Sequence, residues 1–253
     1  SSQGAAGTII DASGAAHAMV IRNDEGPEAV IEGFTFTGGT GDVYGGGMLI
    51  EGASPAIKDC IFEGNSSTYA GGGLRITDGS PHLEGCLFRD NQSPFGGGVS
   101  SWQGSPIFTD CRFAGNLSLA GGHGGAYSSW DSPVVFQGCD FRGNATEDGT
   151  GGGLFTNSNP ALMAVLEECS FCENSPDDIN TSVWQDNGGN VFETICDACP
   201  GDVDGDGYID VNDVLGLINV WDTSDSDADF DGDGLVDADD VLILLSHYGE
   251  ICP

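Results

Sequence analysis

The sequence predicts a mainly β fold, a parallel β-helix of about seven coils over residues 1–198, followed by a small all-α domain over residues 199–253. A Cys-x-Phe-x-x-Asn motif recurs at nearly regular intervals, beginning at Cys60, Cys86, Cys111, Cys139 and Cys169. Near Pro200, an acidic segment replaces the glycine-rich repeats. A repeat of this length is typical of stacked structural units, and the change in composition indicates a second domain.

Each repeat is predicted to hold three short strands separated by corners. The Cys and Phe of the motif are two residues apart, so on a strand both side chains point into the core. The Asn is expected to form the corner itself, because asparagine tolerates the left-handed conformation. Glycine clusters such as Gly71–Gly73 precede a further alternating segment, and a Ser-Pro or Asn-Pro pair precedes each Cys. Stacking of these coils would place the phenylalanines from Phe36 to Phe171 in one continuous column.

Residues 1–40 are predicted to form earlier, degenerate coils, with Phe34 and Phe36 in the Cys and Phe columns. Solenoids usually carry an atypical capping unit at their ends. Ser1 to Ala16 show no amphipathic helical pattern. We therefore expect an uncapped first coil whose strand edges are open to a partner.

With these glycine triplets and motifs, residues 8–196 resemble the polymorphic-outer-membrane-protein-like, right-handed β-helix repeats of secreted bacterial proteins. The resemblance implies a right-handed coil and a bacterial extracellular or cell-surface location. The chain begins at Ser1, without Met or a basic, apolar leader, which fits a mature product after removal of a signal peptide.

Two acidic loops, beginning at Asp202 and Asp229, have the spacing of an EF-hand-type calcium loop. Each has oxygen-bearing side chains at positions 1, 3, 5, 9 and 12, a backbone carbonyl at position 7 and glycine at position 6. The predicted ligands of two calcium ions are Asp202, Asp204, Asp206, Tyr208, Asp210, Asp213, Asp229, Asp231, Asp233, Leu235, Asp237 and Asp240. Each loop leads into a predicted helix, Val214–Trp221 or Val241–Tyr248.

This duplicated loop–helix pattern, with Asp at position 12, resembles the dockerin domain, a calcium-dependent module that binds cohesins. The resemblance implies a cohesin-like receptor as a partner. Many type I dockerins have a Ser-Thr-like pair at loop positions 10 and 11, where this chain has Val211-Asn212 and Ala238-Asp239. Residues 200–253 contain 15 acidic residues and no Lys or Arg, so this domain is predicted to be largely unfolded without metal.

The nine cysteines fall into two groups. The five in the repeat motif are predicted to be small buried hydrophobic residues. Of the remaining four, Cys199 and Cys252 bracket the acidic domain and are predicted to form a disulfide. A second disulfide is then predicted between the remaining pair, Cys172 and Cys196. Cys196 also lies one repeat length after Cys169, where it would continue the inward column.

The strongly negative net charge argues against binding to nucleic acids and anionic lipids. The chain has 40 acidic residues against 6 Lys and Arg, a formal net charge of −34. Such a surface repels nucleic-acid phosphates and anionic lipids, so we expect no nucleic-acid partner. No run of about 18 apolar residues occurs, so we also expect no membrane insertion.

Parallel β-helices often host polysaccharide lyases and hydrolases, which need a Lys or Arg base or paired carboxylates. The sequence shows no such converging pair. His123 lies in a glycine-rich corner and is predicted to be surface filler. Trp102 and Trp130 share one position in adjacent coils, where they either grip a sugar ring or form an outward ladder that stiffens the coils. Five Asn-x-Ser/Thr sites occur, four of them at the repeat Asn.

These features predict a non-catalytic extracellular structural protein that binds calcium and self-associates head to tail into a homopolymer, as a filament or matrix. Two alternatives remain. One is a cohesin-docking or carbohydrate-binding module of a cell-surface complex. The other is a polysaccharide lyase or hydrolase.

Overall fold

A computed structural model describes residues 8–156, 163–180, 184–193, 203, 209–223, 228, 230, 234–246 and 248–249. The chain divides into two compact units, Ser1–Ile195 and Cys196–Pro253. The predicted domain boundary between residues 198 and 199 lies outside the described residues.

The first unit is a right-handed parallel β-solenoid. Its strands up to the middle of the unit are β1 (Ile9–Asp11), β2 (Met19–Ile21), β3 (Val30–Glu32), β4 (Thr35–Thr37), β5 (Thr40–Gly41), β6 (Met48–Glu51), β7 (Ala56–Lys58), β8 (Ile61–Glu63), β9 (Ser66–Ser67), β10 (Leu74–Thr77), β11 (His82–Glu84), β12 (Leu87–Arg89) and β13 (Gln92–Phe95). The remaining strands are β14 (Val99–Trp102), β15 (Ile107–Thr109), β16 (Arg112–Ala114), β17 (Leu117–His123), β18 (Tyr127–Trp130), β19 (Val134–Gln137), β20 (Asp140–Arg142), β21 (Ala145–Thr146), β22 (Leu154–Thr156), β23 (Ala164–Glu167), β24 (Ser170–Cys172), β25 (Ile179–Asn180), β26 (Trp184–Asp186) and β27 (Val191–Glu193).

These strands form four parallel sheets. Sheet A is eight-stranded, in the order β1-β4-β8-β12-β16-β20-β24-β27. Sheet B (β2-β6-β10-β14-β18-β22-β25) and sheet C (β26-β23-β19-β15-β11-β7-β3) each have seven strands, and sheet D (β21-β17-β13-β9-β5) has five. The ribbon makes about six turns, one fewer than the seven coils predicted.

The prediction of three strands per coil is therefore wrong for the coils that contribute to sheet D. Most sheet D strands are short. Thr40–Gly41 and Ser66–Ser67, for example, carry small or polar residues without apolar alternation. These segments are strands because their neighbours in adjacent coils supply backbone partners in register, which a pattern within one coil does not reveal.

The corners also differ from the prediction. The left-handed conformation is adopted by the residue before each motif Asn, as at Gly64 (φ 60°), and by the residue before each Cys, as at Asp59 (φ 47°). The glycine clusters allow backbones to approach closely, since a Cβ at Gly72 would collide with the carbonyl oxygen of Gly97.

A continuous column of stacked phenylalanine rings runs through the core, as predicted. Neighbouring ring centroids along it are 4.5 to 5.1 Å apart, and the planes are nearly parallel from Phe62 onward. Its phenylalanines are Phe36, Phe62, Phe88, Phe113, Phe141, Phe171 and Phe192. The spacing follows the separation of adjacent strands, about 4.8 Å, so sheet register sets the aromatic contacts.

The five motif cysteines are buried free thiols, which confirms their predicted role as small core residues. Burial raises the pKa of the Cys60 thiol to about 12 and that of Cys86 well above its usual range, because a thiolate would be desolvated there. Three of the four cysteines in the two predicted disulfides, Cys196, Cys199 and Cys252, lie outside the described residues. Both pairings therefore stay predictions.

The motif asparagines form a second column that sequence patterns did not predict. Asn65, Asn91, Asn116 and Asn144 are completely buried. The Asn91 Nδ2 donates to the Asn116 Oδ1 (3.0 Å) and to the backbone carbonyl of Phe62 (2.8 Å), and the Asn91 backbone N–H donates to the same Oδ1 (3.2 Å). The pattern repeats from coil to coil. The four Asn-x-Ser/Thr sites at these positions thus serve this amide ladder, and their side chains are inaccessible to a glycan.

The second unit contains helices α1 (Val211–Asn219) and α2 (Ala238–Ser246). Both begin three residues before the predicted starts, because Asp210 and Asp237 precede the first turns and each accepts a backbone N–H from inside the helix. A small apolar core joins the two halves, formed by Ile209, Leu217, Ala228, Val236 and Leu244. Within the described residues, no helix has the length and apolar character that a membrane crossing requires.

We predict that Asn116→Ala lowers the free energy of unfolding by about 2–4 kcal/mol, since it leaves buried backbone and amide groups of Asn91 and Phe88 without partners. Urea unfolding followed by circular dichroism measures this change. Asn23→Ala, at an exposed asparagine, is the control and should stay within about 0.5 kcal/mol of wild type. Equal effects of the two substitutions would contradict a structural role for the ladder.

Candidate functional site

Five of the twelve predicted calcium ligands belong to the described residues. They are Asp210, Asp213, Leu235, Asp237 and Asp240. The other seven lie outside that part of the chain: Asp202, Asp204, Asp206, Tyr208, Asp229, Asp231 and Asp233. Among the described residues, no three His, Cys, Asp or Glu side chains are grouped so that they could hold a metal ion.

Asp213 is a completely buried carboxylate in the first turn of α1. Its Oδ2 accepts the backbone N–H of Asp210 (2.7 Å), and its Oδ1 accepts that of Val203 (2.7 Å), ten residues earlier in the chain. This single side chain therefore connects the start of the predicted loop to the start of the helix.

Asp240 repeats this arrangement in the second half of the unit. It is also completely buried, and its oxygens accept the backbone N–H groups of Asp237 (2.8 Å) and Phe230 (2.7 Å). The two halves also exchange backbone hydrogen bonds, from Asp222 to Val236 (3.0 Å) and from Gly249 to Ile209 (2.7 Å). The unit is thus a structural duplicate, in agreement with its sequence.

The donor chemistry of this unit fits a hard divalent cation. Its described predicted ligands offer only carboxylate and backbone oxygens, which suit calcium and magnesium rather than softer metals. A carboxylate has about four lone-pair positions, so accepting backbone N–H groups is compatible with holding a cation on the same oxygens. In chemical type, the described residues therefore fit the predicted ion.

Basic side chains that a lyase would use as a base are mostly engaged in ion pairs. Five of the six Lys and Arg residues contact a carboxylate: Arg22–Glu51 (3.8 Å), Lys58–Glu84 (2.5 Å), Arg89–Glu63 (2.8 Å), Arg112–Asp140 (3.1 Å) and Arg142–Asp140 (2.5 Å). These pairs lie between or within neighbouring coils. Their geometry serves the cohesion of the solenoid.

A cavity of about 320 Å³ opens on the solenoid beside sheet B. We call it the aromatic groove, and its lining residues are Tyr44, Tyr69, Ala70, Arg75, Phe95, Ser100, Trp102 and Trp130. Trp102 and Trp130 are in register at the ends of β14 and β18, as their common repeat position predicted. Both are partly exposed, at 41 % and 38 %.

The other rings of the aromatic groove precede the glycine clusters. Tyr44 contacts Tyr69 edge to face (centroids 5.7 Å apart), Tyr69 contacts Phe95 (5.2 Å), and Phe95 meets Trp130 edge to face (6.0 Å). Sequence reasoning missed this column. The signal was available, because Tyr44, Tyr69 and Phe95 recur with the same period as the motif cysteines.

Arg75 lies at the base of the aromatic groove and is only 6 % exposed. Its Nη1 donates to the Ser100 hydroxyl (2.7 Å), its Nε donates to the Thr77 hydroxyl (3.3 Å), and its guanidinium carbon lies 5.1 Å from the Tyr44 ring centroid. Burial lowers the pKa of this guanidinium from its ordinary value. A cation between inward-facing Leu74 and Ile76 was not singled out in the sequence, because the residues that cover it come from other coils.

The predicted corner position of His123 is wrong, whereas its role as surface filler rather than a ligand stays a prediction. His123 ends strand β17, stacks on Phe155 (centroids 4.5 Å apart) and has its Nδ1 within hydrogen-bond distance of the Thr150 hydroxyl (3.2 Å). It extends the outward-facing aromatic column beyond Phe95, with ring centroids 6.2 Å apart.

The family model "Right handed beta helix region" matches residues 7–163 of the chain. Comparison with curated proteins and with solved structures found no match. Such domains occur both in polysaccharide lyases and in proteins without enzymatic activity, so the fold does not decide whether this one is an enzyme. Because the match covers more than half of the sequence and the described strands wind as a parallel solenoid, the protein belongs to the right-handed β-helix family.

Proposed function

We propose that the protein is a non-catalytic, extracellular, calcium-binding structural protein of bacterial origin. Two calcium ions fold its dockerin-like second unit, and its solenoids associate end to end. The observation that carries the calcium part is the duplicated pair of buried carboxylates, Asp213 and Asp240, each linking loop to helix.

Burying a carboxylate is unfavourable unless hydrogen bonds and a counter-charge compensate for the lost hydration. Backbone N–H groups supply the hydrogen bonds to Asp213 and Asp240. Residues 196–253 contain no Lys or Arg, so acidic side chains far outnumber basic ones in this unit. A divalent cation at each loop would offset this excess of negative charge and would link folding to metal concentration.

Two features of the loops favour calcium in particular. Asp213 and Asp240 occupy loop position 12, which in EF-hand loops supplies a bidentate carboxylate. Position 7 of the second loop is Leu235, whose backbone carbonyl is the expected ligand there. In this proposal Asp202, Asp204, Asp206, Tyr208, Asp229, Asp231 and Asp233 complete the two oxygen shells.

End-to-end association is proposed from the edges of the sheets. In the part of the chain that the structure describes, β1, β2 and β3 end sheets A to C on one side, and β27, β25 and β26 end them on the other. Unpaired strand edges are templates for pairing with another chain. Exposed apolar side chains lie on the strands at both ends of the sheets. Ile9 (62 % exposed) and Val30 (54 %) are on β1 and β3, and Phe192 (45 %) is on β27.

Such a contact joins unlike surfaces and therefore extends into an open chain of subunits rather than a closed dimer. The charge of −34 per subunit opposes this association. Bound calcium reduces the repulsion and dissolved ions screen it over about 8–10 Å. The absence of catalysis is proposed because five of the six basic side chains are already held in ion pairs.

We predict that wild-type protein binds two calcium ions and that chelation reduces its helical circular dichroism signal. Saturation at about 100 times the dissociation constant should stabilise the second unit by about 2.7 kcal/mol per site. Isothermal titration calorimetry should give two ions for wild type, one for Asp213→Asn and none for the variant that also carries Asp240→Asn.

Asp222→Asn is the matched control, since Asp222 is exposed and belongs to neither loop. It should retain both ions. Wild-type protein that takes up no calcium at millimolar concentration, or a doubly substituted variant that titrates like wild type, would show that the calcium proposal is wrong.

For assembly, we predict that wild-type protein in millimolar calcium forms linear particles longer than one solenoid in negative-stain images and larger species in light scattering. Phe192→Asp places a charge on the exposed end of the aromatic column and should leave monomers. Ile107→Asp makes the same change at an exposed side chain on a central strand, β15, and should leave assembly unchanged. Monomeric wild-type protein under these conditions would contradict end-to-end association.

Binding of a cohesin-like receptor is a second candidate function, favoured by the helices of the second unit. Each helix exposes an apolar stripe, and the two stripes are related by the duplication of the loop–helix unit. On α1 the stripe is Val211, Leu215 and Ile218, and on α2 it is Ala238, Leu242 and Leu245. Apolar residues at such spacing on an exposed helix face are typical of partner contacts.

A pull-down against a panel of cohesins tests this second candidate. Combined Leu215→Asp and Leu242→Asp substitutions should abolish capture, because they place charge in both stripes. Val43→Asp, at an exposed residue of the first unit, should not. Failure of every cohesin to retain wild-type protein would eliminate this candidate and leave the structural role untouched.

A further inference from the structure

The aromatic groove holds a buried cation without an anionic partner. Arg75 is 6 % exposed, and among the described residues no carboxylate lies within ion-pair distance of it, unlike the other five basic side chains. A buried guanidinium is costly to leave without a counter-charge. Its hydrogen bonds to Ser100 and Thr77 go to neutral hydroxyl groups.

The charge of the groove lining favours binding of an anion. No Asp or Glu is among its described lining residues, so Arg75 is the one charged side chain of that lining in a protein with a net charge of −34. A guanidinium carries five N–H donors in a planar fork that matches a carboxylate. Two donors are engaged with hydroxyl groups, which leaves others for a ligand that enters the groove.

The walls of the groove select a ring with an apolar face. Tyr44, Tyr69, Trp102 and Trp130 are each 38–50 % exposed, and a cluster of partly exposed aromatic rings is typical of a ligand-binding surface. Edge-to-face contacts among the rings hold them at large angles, so their faces are turned in more than one direction. The volume, about 320 Å³, lies at the lower end of the range for small-molecule pockets.

We propose that the aromatic groove binds an acidic saccharide, with the sugar carboxylate on the Arg75 guanidinium and the sugar faces on the tyrosine and tryptophan rings. A neutral sugar would leave the buried cation without a counter-charge. A small inorganic anion would leave the aromatic rings uncovered. The site lies entirely within the solenoid, so binding does not depend on the calcium proposal.

Titration of full-length protein with galacturonic acid trisaccharide, followed by calorimetry and tryptophan fluorescence, tests this inference. Measurements are made with calcium and again with chelator, because acidic sugars also bind calcium. We expect binding of similar strength under both conditions. Cellotriose, which is neutral, should bind at least about tenfold more weakly, as expected when a charge-assisted hydrogen bond is lost.

Arg75→Gln should weaken binding of the acidic trisaccharide by at least about tenfold while leaving the cellotriose titration unchanged. Arg22→Gln removes the same charge at an exposed arginine paired with Glu51 and is the matched control, with no expected effect. Should Arg75→Gln fail to fold, as judged by circular dichroism, Trp102→Ala at the exposed rim replaces it and should also weaken binding.

Three results would overturn the inference. In the first, wild-type protein does not bind the acidic trisaccharide. In the second, cellotriose, or a trisaccharide that carries sulfate instead of carboxylate groups, binds equally well. In the third, binding disappears with chelator. The last result would locate the acidic sugar at the calcium loops instead. Loss of calcium binding with retained saccharide binding would refute the proposed metal function and leave this inference standing.

Discussion

Hydrogen bonding between parallel strands in register is the constraint on which the rest of this molecule depends. It fixes adjacent coils about 4.8 Å apart, so each side chain contacts the equivalent residue of the next coil. Phenylalanine stacks on phenylalanine, and asparagine bonds to asparagine. A residue type that tolerates stacking on itself is therefore favoured at each position, and the repeat motif follows from that requirement.

The same register explains what the sequence could predict and what it could not. The Phe and Cys columns were predictable, because their alternation within one strand and their period along the chain both carry the signal. The ladder role of Asn116 was not, since a polar residue after a strand equally suggests an exposed corner. The aromatic groove was also missed, because its lining comes from several coils and Arg75 has no unusual sequence neighbours. In the second unit, the helix starts were predicted three residues late because the last loop positions already belong to the first turn.

Charge is divided unequally between the two units. All six basic residues lie in the solenoid, where five join carboxylates of the same or neighbouring coils and Arg75 lies under aromatic rings. The second unit has acidic residues without Lys or Arg and buries Asp213 and Asp240. Most basic side chains of the solenoid thus pair with its own carboxylates, whereas in our proposal the second unit takes its counter-charge from calcium ions in solution. This difference makes the two proposed binding activities separable by experiment.

Hydrogen–deuterium exchange tests most directly the claim that stacked columns hold the solenoid together. If stacking holds the coils together, the amides of Asn91 and Asn116, which donate to ladder oxygens, exchange slowly and at similar rates, far more slowly than the exposed segment around Asp24. Ladder amides that exchange as fast as this segment would contradict that claim.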